Sequence, residues 1–310
     1  MRLYLIYALL TIAILIQGCG QKAPEEASVD FNGIQISLQV PDGVTHQPLA
    51  NLLTDLIQEL EGHLMLDPAD ERSLIAQLNG AANDKSVSFE KETFDFILQI
   101  MNLGRQTEGL IDLRSGSVAS LWADVNSAPD AAVLDSALVH MQSCGFISAS
   151  SSFLIYGPEA TWDTAPMLPA WYAMYAQNWI ASRLSQGLLQ VGPLHMIIGA
   201  PAEYRVELPV RTESIEKRYM THTDGCLAVL SFYRGDYPLV NALTGQLAAS
   251  DRISIVHNQD PLTAHGMAIA GLLQSAKAAQ IQFEANAIEG LILMDDGSSL
   301  GSPDVAARLQ

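Results

Sequence analysis

The stretch RISIVHNQDPLTAHGMAIAGLLQSAKAAQIQFEANAIEGLILMDD, residues 252–296, sets a helix-like segment between two short apolar runs. Arg252 to His257 and Gly290 to Met294 have the length and branched side chains of strands. Between them, about Leu262 to Ala279, a segment rich in small residues reads as a helix. Upstream, Leu227 to Tyr233 is another β-like run, and Tyr204, Val206, Leu208 and Val210 alternate with a period of two. Further upstream the helical period takes over. A Trp- and Tyr-rich helix covers roughly Pro169 to Leu188, its Trp171 and Trp179 read as core. Another follows Ser88, with Phe94, Ile97, Leu98 and Met101 on one face, Ser88 as N-cap and Gly104 as stop. Leu49, Leu52, Leu53, Leu56 and Leu60 form a third stripe, after a half-buried strand with Ile34, Ile36, Leu38 and Val40 on one side. Helices cluster early and strands late, so the fold class is α+β in a single domain over residues 31–310.

The chain has 310 residues, 16 Lys+Arg against 34 Asp+Glu, and a formal charge of −18. With 49% hydrophobic and 16% charged residues it carries enough apolar material for a large core, and disorder is excluded. Nucleic acid is excluded as a partner, because phosphate binding needs clustered cations. The first eighteen residues, MRLYLIYALLTIAILIQG, have one positive charge and an apolar run too short to span a bilayer comfortably. They read as a secretory signal. Ile16-Gln17-Gly18-Cys19 resembles a lipobox, in which Cys19 is acylated and becomes the first mature residue. Residues 19–30 then read as the lipidated Cys and a polar tether. The expected place is the periplasmic side of a membrane, the outer one from the Gly at position 20, with the inner membrane as the alternative. In an oxidising compartment Cys144 and Cys226 are able to pair.

Motifs for chemistry are sparse. The seven His stand at 46, 63, 140, 195, 222, 257 and 265, without H-E-x-x-H or a zinc-type Cys pair. A lone His of this kind is ordinarily a surface or satisfied core residue. Gly116-Ser117 lacks the G-x-S-x-G elbow, and there is no Walker loop or G-x-G-x-x-G. Asp67, Asp70 and Glu71 read as a solvated cap.

As an ordered series, however, several fragments resemble the ApbE family, the FAD:protein FMN transferases. Ser73 precedes a short helix ending in Leu78-Asn79, as in the family, and Val87-Ser88 leads into a helix. Gly109-Leu110-Ile111-Asp112 with Leu121-Trp122 resembles Gly-x-Phe-Asp…Leu-Trp. Asn241-Ala242-Leu243-Thr244-Gly245-Gln246 looks like the Asp-Pro-x-Thr-Gly-x turn, and residues 252–296 follow the family's β-α-β end. The resemblance covers about residues 31–297. It implies a T-fold-like domain with helices packed on a mostly antiparallel sheet. It also implies a lipid-anchored protein that binds FAD and, with Mg²⁺, attaches FMN to a Ser or Thr of a flavoprotein redox subunit. Asn79, Asp112, Thr244 and Gly245 are the cofactor-binding candidates on this resemblance; the bland alternatives are a helix C-cap, a turn Asp and an ordinary hairpin turn.

The departures fall on the chemistry. The family's Ala-Asp-Ala-x-Ala-Thr, whose Asp and Thr oxygens help bind the metal, corresponds to Thr263-Ala264-His265-Gly266-Met267-Ala268. A register that uses Asp260 places Ala264 four residues later, so it too lacks the Asp/Thr pair. The His-x-x-Asp before the turn reads Pro238-Leu239-Val240-Asn241. The Ala-Lys-Gly-x-x-x-Asp segment reads Tyr172 to Asn178 without Lys. Gly-Gly-Asp becomes Gly192-Pro193-Leu194, and Thr-Ser-Gly becomes Thr223-Asp224-Gly225. A methyl group cannot ligate Mg²⁺, so no catalytic or metal-ligating residue is carried over. Three readings stand: a degenerate homologue with impaired or lost transfer, an active transferase with substitute ligands, and a non-enzymatic binding or assembly lipoprotein.

Overall fold

A computed structural model describes residues 25–310 except 42, 45–46, 69, 81–85, 123–127, 157–160, 210–217 and 233–237. The signal segment and Cys19 lie outside the described residues. The apolar alternation of Ile34 to Val40 forms β2 (Ile34–Val40), and its antiparallel partner is β1 (Glu25–Phe31). Residues 25–30, expected as tether, are therefore structured: Ala27, Val29 and Phe31 are buried in the core, and this alternation is what makes the segment a strand.

The chain continues through α1 (Leu49–Leu60), α2 (Leu74–Asn79), β3 (Ser86–Ser88), α3 (Lys91–Gln106), α4 (Gly116–Ser120) and α5 (Ala131–Ser143). Next come β4 (Gly145–Ala149), β5 (Ser152–Tyr156), α6 (Leu168–Ala181), β6 (Gln186–Val191), β7 (Leu194–Gly199) and β8 (Tyr204–Glu207). The last part holds β9 (Tyr219–His222), β10 (Cys226–Ser231), β11 (Arg252–Asn258), α7 (Pro261–Leu272), α8 (Ala276–Ala285), β12 (Glu289–Met294), β13 (Ser299–Gly301) and α9 (Pro303–Ala306). Eight strands form one sheet in the order β1-β2-β6-β7-β10-β11-β12-β13, every described ladder antiparallel.

The two faces of that sheet are covered differently. Ile36, Leu38, Met196, Ala228, Val256 and Ile292 point into the main core with α1, α3, α6, α7 and α8. On the other face Leu227, Val229, Ile255 and Leu293 pack with Val206 and Met220 of the β8–β9 hairpin and Val305 of α9. Burial on both faces explains why β10 is a continuous apolar run instead of an alternating one. Trp171 is in the core as expected, while Trp179 is partly buried, with the Arg183 guanidinium 3.5 Å over its ring.

Several expected boundaries move. Ser88 lies in β3 and Glu90 stands at the N-cap of α3, and Gly104 is inside that helix, where an added Cβ would meet the Ile111 carbonyl at 2.7 Å. The Trp-rich helix ends at Ala181, and Leu188 belongs to β6. The single last helix is two, because Ser275 caps a fresh start by accepting from the Ala278 N–H. The β6–β7 hairpin and the small β3-β5-β4 sheet were not visible in the periodicity. Cys144 and Cys226 are both free and buried, so the pairing is not formed.

Candidate functional site

A cavity of about 390 Å³ opens where the sheet's middle strands meet α7 and the segment before α6. Ala165, Pro166 and Pro169 form one wall, Gly192 and Pro193 of the β6–β7 turn another, and Leu230, Ser231 and Phe232 a third. α7 closes the back with His265 and Ile269.

Local sequence places each part. α7 begins at Pro261, where a missing N–H costs nothing, and Asp260 caps it by accepting from the Thr263 N–H (2.9 Å) and hydroxyl (2.6 Å). The helix is buried on nearly all sides, so small side chains are needed. A Cβ on Gly266 would come within 1.8 Å of Leu103 Cδ2, and that close approach seats α7 on α3. The seating puts His265 against the Pro166 carbonyl, to which Nε2 donates at 2.6 Å. Burial lowers the His265 pKa to about 4, so the ring is neutral.

The four residues singled out in the sequence lie elsewhere, and none lines this cavity. Asn79 clamps the backbone of Trp162: its amide donates to the Trp162 carbonyl (2.9 Å) and accepts from the Trp162 N–H (2.7 Å). Asp112 pairs with Arg114 through the Nε and Nη2 donors and caps a short 3₁₀ turn. It also lines a small pocket of about 30 Å³ that shares Pro166, Leu239 and Ile269 with the large cavity. Thr244 and Gly245 belong to a turn whose N–H groups at Leu243 and Thr244 are held by the Asn241 carboxamide. Trp122 Nε1 donates to the Gly245 carbonyl at 2.8 Å. The turn is tied to the Asp112 segment by Ala242 N–H to Leu110 O, 3.1 Å. The turn is thus joined to the segment before Asp112 and not to Asp112 itself, while Asn79 holds Trp162, which shares a further pocket of about 270 Å³ with Asp112.

Ala264 and Ala268, which the sequence resemblance sets against the family's metal-binding oxygens, are both fully buried in α7. Asp260, the nearest carboxylate in the chain before them, is spent on the helix cap. Among the described residues no group of three His, Cys, Asp or Glu is placed to hold a metal ion. A hard dication takes six or more oxygens, and these residues do not fit one.

Sequence reasoning missed His265 and Ser231. A single His among small apolar residues gives no pattern, and Ser231 ends an apolar strand. Both line the cavity, which three separated segments build.

Residues 32–170 match the model of the ApbE family. No curated protein matches the chain. Among solved structures, the ApbE protein of Thermotoga maritima is similar with a TM-score of 0.75 at 18% identity, over 92% of this chain and 99% of that one. The flavin transferase ApbE from Vibrio cholerae matches with a TM-score of 0.74 at 18% identity, over 92% of this chain and 99% of its own. The Pseudomonas stutzeri flavinyl transferase ApbE, apo form, gives 0.73 at 13% identity, over 95% and 100%. The chain has the ApbE fold. Within that fold, the expectation of helices on a mostly antiparallel sheet holds.

Proposed function

We propose that this protein is a membrane-anchored lipoprotein with the ApbE fold that has lost Mg²⁺-dependent flavin transfer and kept a flavin-binding role. One observation carries the reading: Ala264 and Ala268 are buried methyl groups on α7, where the family resemblance places oxygen ligands. Without a cation, the charge of a cleaving pyrophosphate has nothing to neutralise it in a site of this kind. No step through a metal is therefore assigned.

What supports the flavin part is the fold it shares with flavin transferases over nearly the whole chain. The anchor rests on the apolar run Leu3 to Ile16 followed by Gly18-Cys19. Acylation of Cys19 would hold the domain at the periplasmic side, on the outer membrane. A flavoprotein redox subunit is the partner this reading points to. Asn79 and the Thr244-Gly245 turn then serve by positioning Trp162 and Trp122, through bonds to backbone groups.

The test incubates the purified full chain with FAD, Mg²⁺ and a peptide that carries the acceptor Ser or Thr of a flavoprotein redox subunit, and reads the peptide by mass spectrometry. No covalent FMN is expected. A peptide that gains FMN in proportion to added Mg²⁺ would overturn the reading.

A further inference from the structure

Five residues, 20–24, separate Cys19 from Glu25, the first residue of β1. Fully extended, the steps from Cys19 to Glu25 span about 20 Å. Strand register fixes what lies beside that foot. Glu25 pairs with Val40 at the end of β2, and Gln39 with Leu188 near the start of β6. Gln186, where β6 begins, pairs with Gly199 at the end of β7. Residues 182–185 join β6 to the end of α6 at Ala181, so Trp179 and the exposed Arg183 lie at this same end of the sheet.

The opposite end of the same strands holds the β1–β2 turn, the β6–β7 turn at Gly192-Pro193 and Ser231 of β10, and there the large cavity opens. β2 alone puts about 20 Å between the two ends. A chain anchored at Cys19 brings the Glu25 end to a bilayer without stretching, whereas turning the cavity end down would use the whole extension. The outward face of β1 and β2 is a poor substitute. Glu26 and Asp30 are exposed on it, opposite Gln39 and Gln35, and anionic lipid repels them.

At the anchored end the side chains suit lipid headgroups. The Arg183 guanidinium lies 3.5 Å over the Trp179 ring, and its Nη1 donates to the Trp179 carbonyl (2.9 Å) and the Ser182 hydroxyl (2.8 Å). A half-buried indole beside an exposed cation is a pair that bilayer interfaces favour. We propose that this end, with Glu25, Trp179 and Arg183, rests on the phospholipid surface, Arg183 meeting lipid phosphate, and that the large cavity faces away from the membrane. The proposal rests on the acylation of Cys19. Under it a flavoprotein partner meets the cavity about 20 Å above the headgroups.

The experiment places the acylated chain in phosphatidylethanolamine–phosphatidylglycerol vesicles that carry a nitroxide on the lipid headgroup. A fluorophore is attached to Ala181→Cys or to Gln35→Cys, since Cys144 and Cys226 are buried. Position 181 is expected to lose most of its fluorescence, and position 35, on the cavity wall, to keep it. In vesicles without nitroxide the Trp emission of the unlabelled protein should shift to the blue. That shift belongs to Trp179, because Trp122, Trp162 and Trp171 are already buried, and Trp179→Phe and Arg183→Glu should each abolish it. Quenching at neither position or at both, stronger quenching at 35, or a shift kept in either variant overturns the inference alone. Cys19→Ser is the control for the anchor. If the unaltered chain, like that variant, fails to pellet with the vesicles, the lipoprotein reading falls and this inference with it.

Discussion

Asn79 and Ala264 show how differently a family-like residue and a substituted one behave in the same fold. Asn79 looks like a ligand contact in the sequence, yet both ends of its amide are held by one backbone unit, Trp162. Asn79→Ala would leave the Trp162 N–H and carbonyl without those partners, at a cost of about 2–3 kcal/mol. A urea midpoint measured with an unchanged m-value checks this, and a loss below about 0.5 kcal/mol would refute the clamp. Ala264 tests the missing metal site. Ala264→Asp buries a carboxylate that has no cation to meet, so stability should fall by about 3 kcal/mol or more. Millimolar Mg²⁺ should not restore it in thermal melts. Full rescue by Mg²⁺ would reveal a latent metal site. The Ala264 substitution was legible in the sequence, whereas the Asn79 clamp was not: side-chain type is in the sequence, but the partner 83 positions away from Asn79 is not.

Elements were read best where one face alone is buried. The stripe Leu49 to Leu60 became α1 with its stated limits, and the alternation Ile34 to Val40 became β2. Where burial is two-sided the period vanishes, and α7 with α8 looked like one helix until Ser275 was seen to cap the second. The β6–β7 hairpin was hidden because Leu184, Leu188 and Leu189 extend the apolar content of the preceding helix, while the turn that separates them needs Gly192 at φ +55°. At this scale the seating of α7 on α3 is the sensitive joint. Gly266→Ala forces a Cβ into Leu103, so it should cost about 1–3 kcal/mol by overpacking. Pairing it with Leu103→Ala in a double-mutant cycle should recover part of that loss; strictly additive effects would contradict the contact.

The whole molecule places buried histidines at two sites. His265 is lowered to about pH 4 by burial, and His222 to about 4 by burial and by its neighbour His257, against the opposing pull of Asp224. Arg308 adds to the lowering at His222. Below about pH 6.5 the unfolded chain takes up protons that the folded chain refuses. The stability due to these residues is therefore full above pH 6.5 and is lost as the pH falls toward 4. The size is on the order of 3 kcal/mol for each histidine, and guanidinium midpoints at pH 7.5 and 4.5 measure it. A midpoint equal at both values would contradict neutral burial. Cys144 and Cys226, buried and free, should likewise resist a thiol reagent in the native protein and react as two thiols after denaturation; a mass showing them linked would contradict the packing. The central claim is that the ApbE fold here no longer uses a metal on its ligand. Calorimetric titration of FAD into the full chain, with and without millimolar Mg²⁺, tests it most directly. The predicted result is an affinity unchanged by Mg²⁺ within about twofold, and tightening by tenfold or more on adding Mg²⁺ would contradict it.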